Sequence, residues 1–340
     1  MAAVSVIIPT YNCSRFLVES LESVFAQSEP PMEVIVVDDG STDDTQDILA
    51  RYRDRLIVVQ GEHGGLSDAR NRGLARARGD LVAFHDADDV ACSDRLSFQL
   101  SFLRQNPGYD AVFCNGERMD TGESAKNRLV PPKIARRLER KLITAADLFE
   151  GYPVYFQGAL VPRRSFARAG GLDVTLRVQP DIEYAYRLLA HMRAAFVDRV
   201  VFLYRWHTTN NSADRLGGRE DIARILEGLE SNDPQIVRLI GRRRLTLRLA
   251  RHYYRIARMH LTIGNIAKAD AAATRAVDLQ PLNPRYQLLR LWHLRRASVA
   301  ARVEAPSTSR ATGPSAEPVR TDASSAHPRS MRGDASRPCP

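Results

Sequence analysis

Along the first ninety residues, short apolar runs recur at regular intervals, with polar, helix-patterned segments between them. Residues 4–8, 34–37, 56–59 and 81–84 are near-continuous apolar stretches rich in β-branched residues, as in strands buried on both faces. Residues 14–26, 43–51 and 66–78 carry apolar positions at helical spacing, with Ser14 placed to cap the first helix and Gly79 to end the third. This alternation predicts an α/β fold, an open and mostly parallel sheet covered by helices. From about 105 to 215 the pattern is less regular. Strands are expected at 111–113, 155–161 and 200–204 and a helix at 181–191, completing one domain over 1–216.

Residues 217–302 differ. They are Arg- and Leu-rich and almost free of strand signals, so they are expected to be helical. Tyr253, Ile256, Ala257, His260, Gly264, Ala269, Ala273, Ala276 and Pro281 fall at the spacing of one helical hairpin over about 250–283, which resembles a tetratricopeptide-type repeat. One repeat cannot bury its own face, so the hairpin must pack on neighbouring helices. A close-packed hairpin and a peptide-holding surface both fit this spacing. Residues 303–340 are Ser, Pro, Ala and Arg with few aliphatics, too little to offset the entropy of ordering, and are expected to be disordered.

The net charge of +9 is not spread evenly. Residues 239–302 hold 14 Lys+Arg against Asp270 and Asp278, which leaves 1–238 slightly acidic. The basic segment is either a solvated helical face or a contact with an anionic membrane surface or a protein partner. No zinc-binding or aromatic-interleaved motif points to nucleic acid. No apolar run reaches the eighteen or so residues of a membrane span. Residues 1–9 lack a basic n-region and are broken by Pro9, which argues against a secretory signal. Cys13, Cys92, Cys114 and Cys339 are far apart with no CxxC pair, unlike a disulfide framework or a zinc site. The expectation is a cytoplasmic protein, peripheral at the inner membrane face where the basic segment makes contact.

Three strands end in polar clusters: Pro9-Thr10-Tyr11-Asn12, Asp38-Asp39-Gly40-Ser41 and His85-Asp86-Ala87-Asp88-Asp89. In an open parallel sheet these ends line one edge, where ligands bind. Five carboxylates (Asp38, Asp39, Asp86, Asp88, Asp89) are expected to gather there, where they repel one another unless some protonate or a hard cation joins them. The chemistry implied is a diphosphate site bridged by Mn²⁺ or Mg²⁺. Neither a P-loop nor a G-x-G-x-x-G after the first strand is present.

Residues 4–12, 36–43, 69–73 (Ala69-Arg70-Asn71-Arg72-Gly73) and 84–89 together resemble the family 2 glycosyltransferases of GT-A fold, over roughly 3–215. The resemblance implies inverting transfer of one sugar from a nucleotide-diphosphate sugar, with UDP the expected nucleotide and GDP and dTDP as alternatives, and with Mn²⁺ or Mg²⁺ as cofactor. The acceptor is expected to be a glycan or lipid-linked glycan of cell-surface polysaccharide synthesis. Carried over by position, Pro9, Thr10 and Tyr11 line the nucleobase, with the Tyr11 ring available for stacking. Asp39 bonds the base, and Arg70 is the cation near base and phosphates. Asp86 faces the ribose and metal side, and Asp88 coordinates the metal. Asp38 and Asp89 are as well suited to a turn as to a ligand.

Inversion also needs a carboxylate to take the acceptor proton. Asp181, in Pro180-Asp181-Ile182-Glu183, resembles the family's Glu-Asp pair, with Pro180 standing where Glu is usual. Glu183 is the rival base, and Asp181 also suits a helix cap. His207, in Tyr204-Arg205-Trp206-His207, is a further candidate for metal or diphosphate. His63 and His85 are read as local structure, and Gly158-Ala159-Leu160 as a neighbour of the donor sugar. No Q-x-x-R-W motif of processive synthases is present. A transferase-like scaffold without activity, holding a protein through the hairpin, is the competing reading. The retained acids at 39, 86 and 88 weigh against it.

Overall fold

The computed structural model describes residues 2–119, 127–139, 141–153, 155–207, 210, 213–232 and 234–291, so the tail expected to be disordered lies outside the described residues. The first half follows the apolar runs. Strands β1 (Val4–Thr10), β2 (Glu33–Asp38), β3 (Ile57–Gln60) and β4 (Leu81–Phe84) pair in parallel in the order β3-β2-β1-β4. They are connected by α1 (Ser14–Phe25), α2 (Thr45–Arg51) and α3 (Leu66–Arg76). Because side chains alternate across a strand, Ile7, Ile35, Val37 and Phe84 pack on one face with Ala69 of α3. Val6, Ile8, Val34, Val36 and Ala83 pack on the other, with Leu17 and Leu21 of α1 and Ile48 of α2. Each such buried Leu or Ile contributes about 1.5–3 kcal/mol of transfer free energy. β3, at the sheet edge, is only half covered, with Val58 exposed.

Ser14 is not the cap of α1. It is the first helical residue, and its N–H donates to Asp43 Oδ2 (3.0 Å), while Asp43 Oδ1 accepts from Thr45 N–H (3.1 Å). One carboxylate therefore holds the starts of α1 and α2. Burial pushes its pKa up, but hydrogen bonds from Thr45 and Ser14 outweigh this and hold it at about 2.

The second half adds β5 (Val90–Ala91), α4 (Arg95–Gln105), β6 (Ala111–Arg118), α5 (Pro132–Leu138), α6 (Ala145–Phe149), a 3-10 turn at Phe156–Gly158, β7 (Ala159–Pro162), α7 (Arg163–Ala169), α8 (Pro180–Leu189) and β8 (Ala194–Tyr204). The sheet continues β4-β7-β6-β8-β5. β7 is antiparallel to β4 and β6, β8 is parallel to β6, and β5 is antiparallel to β8. This is the mixed, mostly parallel eight-stranded sheet of a GT-A fold. β6 and β8 are longer than the apolar runs suggested, since polar Asn115 sits inside the pairing. Its side chain bonds both backbone groups of Val130, at 2.8 and 3.0 Å. The expected strand at 155–161 is shortened by the 3-10 turn. α4 is not legible in the sequence because its buried face includes Arg95 and Gln99, which bond the carbonyls of Phe84 (2.9 Å) and Gly158 (3.0 Å).

Four helices follow: α9 (Arg215–Asn232), α10 (Pro234–Ile240), α11 (Arg242–Thr262) and α12 (Ile266–Leu279). α11 and α12 pack as a hairpin, turning at Gly264 (φ 79°), a left-handed conformation that favours glycine. Ala257, Ala269, Ala273 and Ala276, all buried, let the helices approach closely. Leu226, Ile240, Leu245 and Leu249 share one core with Phe149, Tyr184 and Leu188. Among the described residues no helix is long and apolar enough to cross a membrane.

Candidate active site

The C-terminal ends of β1, β2 and β4 lie side by side. Pro9 is buried inside β1 opposite Val37, and Thr10 is buried beside it. Tyr11 is 44% exposed, but its ring is already stacked on His63, with centroids 4.0 Å apart. The next turn closes when Asp38 Oδ1 accepts Ser41 N–H (3.0 Å), and Gly40 supplies the positive φ of 82°. Asp39 is buried and accepts Gly64 N–H (3.0 Å) and Gly65 N–H (2.8 Å). Arg72 and His63 also contact its carboxylate.

Asp38 and Asp39 are thus engaged in loop bonds, and neither belongs to the acidic cluster with metal-ligand spacing. The cluster is Asp86, Asp88 and Asp89, whose carboxylate oxygens lie within 4.8 Å of one another. Burial and the charge of Asp86 raise the pKa of Asp88. Burial, Asp86 and Asp88 push that of Asp89 well up. His207 reaches the cluster, Nε2 to Asp88 Oδ2 at 2.9 Å, and Asn210 Nδ2 lies 3.4 Å from the same oxygen. Asp89 Oδ1 accepts Arg205 N–H (3.0 Å), a structural bond, while its Oδ2 is buried without a hydrogen-bond partner. Mutually repelling hard oxygens, one of them orphaned, with an imidazole alongside, are a donor set that fits a divalent cation.

The third group lies around Arg70, a fully buried guanidinium that pairs with Asp181 Oδ1 and, at 3.1 Å, with Asp86 Oδ1. Gln157 donates to Asp86 Oδ2. Burial opposes the charge on Arg70, yet Asp181 and Asp86 outweigh it and raise its pKa. Burial raises the pKa of Asp181, against the pull of Arg70. Asp181 is not a helix cap: Gln179 holds that place without a side-chain bond, Pro180 opens α8, and the Asp181 carboxylate turns to Arg70. Glu183 is tied to Arg187 (2.6 Å), which also bonds the carbonyl of Gly171 (2.8 Å).

Arg70 therefore joins the base candidate to the acidic cluster, and the cation on Asp39 is Arg72. The sequence motifs assign none of these contacts to Arg72, His63 or Gln157. Arg72 follows Arg70 by two residues and gave a weak signal. His63 and Gln157 come from loops whose approach no local pattern reveals. His85 is fully buried, and burial and Arg95 pull its pKa down to about 3, in keeping with a structural role.

Residues 5–168 match the sequence profile described as Glycosyl transferase family 2. That segment belongs to the family 2 glycosyltransferases. A relative of this transferase domain is the putative teichuronic acid biosynthesis glycosyltransferase TuaG of Bacillus subtilis, 41% identical over 127 residues. The match covers 34% of this chain and 50% of TuaG, so the chain spans about half the length of that relative. Among solved structures, S. aureus TarS 1-349 in complex with UDP-GlcNAc is similar at TM-score 0.65 and 18% identity, over 88% of this chain and 92% of that one. The mannosyltransferase PcManGT of Pyrobaculum calidifontis, in complex with GDP-Man and Mn²⁺, is similar at TM-score 0.56 and 21% identity, over 88% and 86%. At these identities the structural likenesses establish the fold.

Proposed function

We propose that this chain is a divalent-metal-dependent, inverting glycosyltransferase. It moves one sugar from a nucleoside diphosphate sugar, with UDP the expected nucleotide, to a hydroxyl of a glycan or lipid-linked glycan in cell-surface polysaccharide synthesis. The observation that carries the reading is the junction at Arg70, where Asp181 meets the Asp86-Asp88-Asp89 cluster. TuaG supports the polysaccharide context. The neighbours solved with UDP-GlcNAc, and with GDP-Man and Mn²⁺, support a nucleotide-sugar donor and a metal.

In this reading Asp86, Asp88 and His207 hold the cation, Mn²⁺ or Mg²⁺, which when bound neutralises the departing diphosphate. The ends of β1 and β2, with Thr10 and Tyr11 on one and Asp39 on the other, receive the nucleobase, and the ring of His63 is displaced or joins the stack. The acceptor oxygen attacks C1 of the sugar, the bond from C1 to the diphosphate oxygen breaks, and the acceptor proton passes to Asp181. Burial supports that role, because a carboxyl with a raised pKa takes a proton more readily. Glu183 is less suited, being held by Arg187.

The basic helices offer a place for the acceptor's surroundings. Arg251 and Arg255 are exposed on one side of α11, with Arg248, half-buried over the Phe149 ring at 4.8 Å, and Arg219 of α9 beside them. Burial and then these four arginines pull the pKa of His252 down to about 4. We read this face as a contact for an anionic membrane surface, which would place the transferase at the inner membrane face.

A thermal-shift panel of UDP, GDP, dTDP and CDP, each with Mn²⁺ or with EDTA, tests the site. A ligand at a hundred times its dissociation constant stabilises the fold by about 2.7 kcal/mol. The expected result is a metal-dependent rise with one nucleotide. No rise with any of them would refute the donor site.

A further inference from the structure

Residues 171–179 lead from α7 to Asp181, and a side chain clamps each end. At the start, Asn71 of α3, beside Arg70, accepts Leu172 N–H at Oδ1 (2.7 Å) and donates from Nδ2 to the Leu172 carbonyl (3.0 Å). At the end, one oxygen of Asp221 on α9 accepts three successive N–H groups, those of Arg177 (3.1 Å), Val178 (2.7 Å) and Gln179 (3.1 Å). Asp221 is only 4% exposed. Arg224 of α9 adds a bond to the Thr175 carbonyl at 3.0 Å. The helix can come this close because it presents glycine: a Cβ on Gly218 would stand 3.3 Å from Val178 and 3.4 Å from Gln179. Pro180 and Asp181 follow directly. Proline's fixed φ leaves little slack between the clamped backbone and the Asp181 carboxylate.

We infer that Asp221 is a positioning residue for catalysis, acting through Asp181. By gathering three backbone donors on one carboxylate, it fixes residues 177–179 and thereby delivers Asp181 to Arg70. Helix α9, outside the matched family segment, then belongs to the catalytic apparatus. This rests on the reading of Asp181 as the base.

The test uses the full chain as wild type, Asp221→Asn, Asp181→Asn and the double variant. It reads donor turnover, UDP binding with Mn²⁺, and amide hydrogen exchange, the last needing no substrate. In Asp221→Asn the amides of 177–179 should exchange at least about tenfold faster, with β1 and β2 unchanged. UDP binding should stay within about twofold while kcat falls about ten- to a hundredfold, the cost of a misplaced catalytic group. The double variant should be no slower than Asp181→Asn alone, because Asp221 works only through Asp181. A wild-type kcat in Asp221→Asn, or losses that multiply in the double variant, would overturn the inference while leaving the base in place. Full turnover in Asp181→Asn would remove the base and this inference together, a result visible without touching Asp221. Should Asp221→Asn fail to fold, Asn71→Ala releases the other clamp, and the same split between kcat and UDP binding is expected. Its absence there would equally overturn the clamp.

Discussion

Asp181 and Asp88 are both carboxylates with raised pKa, yet their neighbours fit them for different work. Asp181 faces a single guanidinium, a geometry that holds one base in place. Asp88 stands among like charges with an imidazole beside it, a geometry that is costly until a cation joins it. Asp88→Asn removes one charge from that cluster. It should raise the thermal midpoint of the metal-free protein by about 2 °C or more and abolish the additional rise given by Mn²⁺ with nucleotide. An unchanged metal-free midpoint, or a retained Mn²⁺ response, would show that Asp88 is not the strained ligand described. The residues that the sequence made legible, Asp39, Asp86 and Asp88, sit at strand ends, where topology alone forecasts convergence. Gln157 and His63 were not legible for the opposite reason, since their positions depend on how loops fold over the sheet edge.

At the scale of elements, the first four strands could be read because both their faces are buried, which writes an unbroken apolar run into the sequence. α4 and the far half of β6 could not, because the fold places Arg95, Gln99 and Asn115 in the interior and satisfies them with backbone bonds. A helix start can be held by a residue other than its cap. Asp43 is the clearest instance, and it makes a pH prediction. Its folded pKa, about 2, lies below the ordinary aspartate value of about 3.9, so its contribution is complete above about pH 4 and is lost as pH falls toward 2. Asp43→Ala should therefore destabilise the protein at pH 7 by about 1–2 kcal/mol, the usual worth of a helix cap, and the difference from wild type should shrink as pH drops through that window. Urea unfolding at pH 7, 4 and 3 measures it. A difference that stays constant with pH would mean that the carboxylate charge plays no part.

For the whole molecule, the charge pattern and the packing pattern divide the chain differently. Charge separates an acidic front from a basic segment after 238, whereas the core runs without a break from the sheet through α8 into α9, α10 and α11. A fragment ending at 216 would bare the face of Phe149, Tyr184 and Leu188 and lose the partners Leu226, Ile240, Leu245 and Leu249, each worth about 1.5–3 kcal/mol on burial. That fragment should aggregate or melt far below the full chain; a midpoint within about 2 °C of it would show the two parts to be independent. Deletion is for that reason a poor probe of the basic face, and charge reversal is the better one. Arg251 and Arg255 are exposed and take no part in the core, so reversing both to Glu should leave the thermal midpoint and UDP binding intact. Sedimentation with vesicles containing phosphatidylglycerol should show wild-type binding that weakens steeply with salt, since roughly 1 kcal/mol per surface arginine is screened within a Debye length. The double reversal should lose about tenfold or more of that affinity. Equal binding by wild type and variant, or binding indifferent to salt, would reduce the arginine face to an ordinary solvated surface.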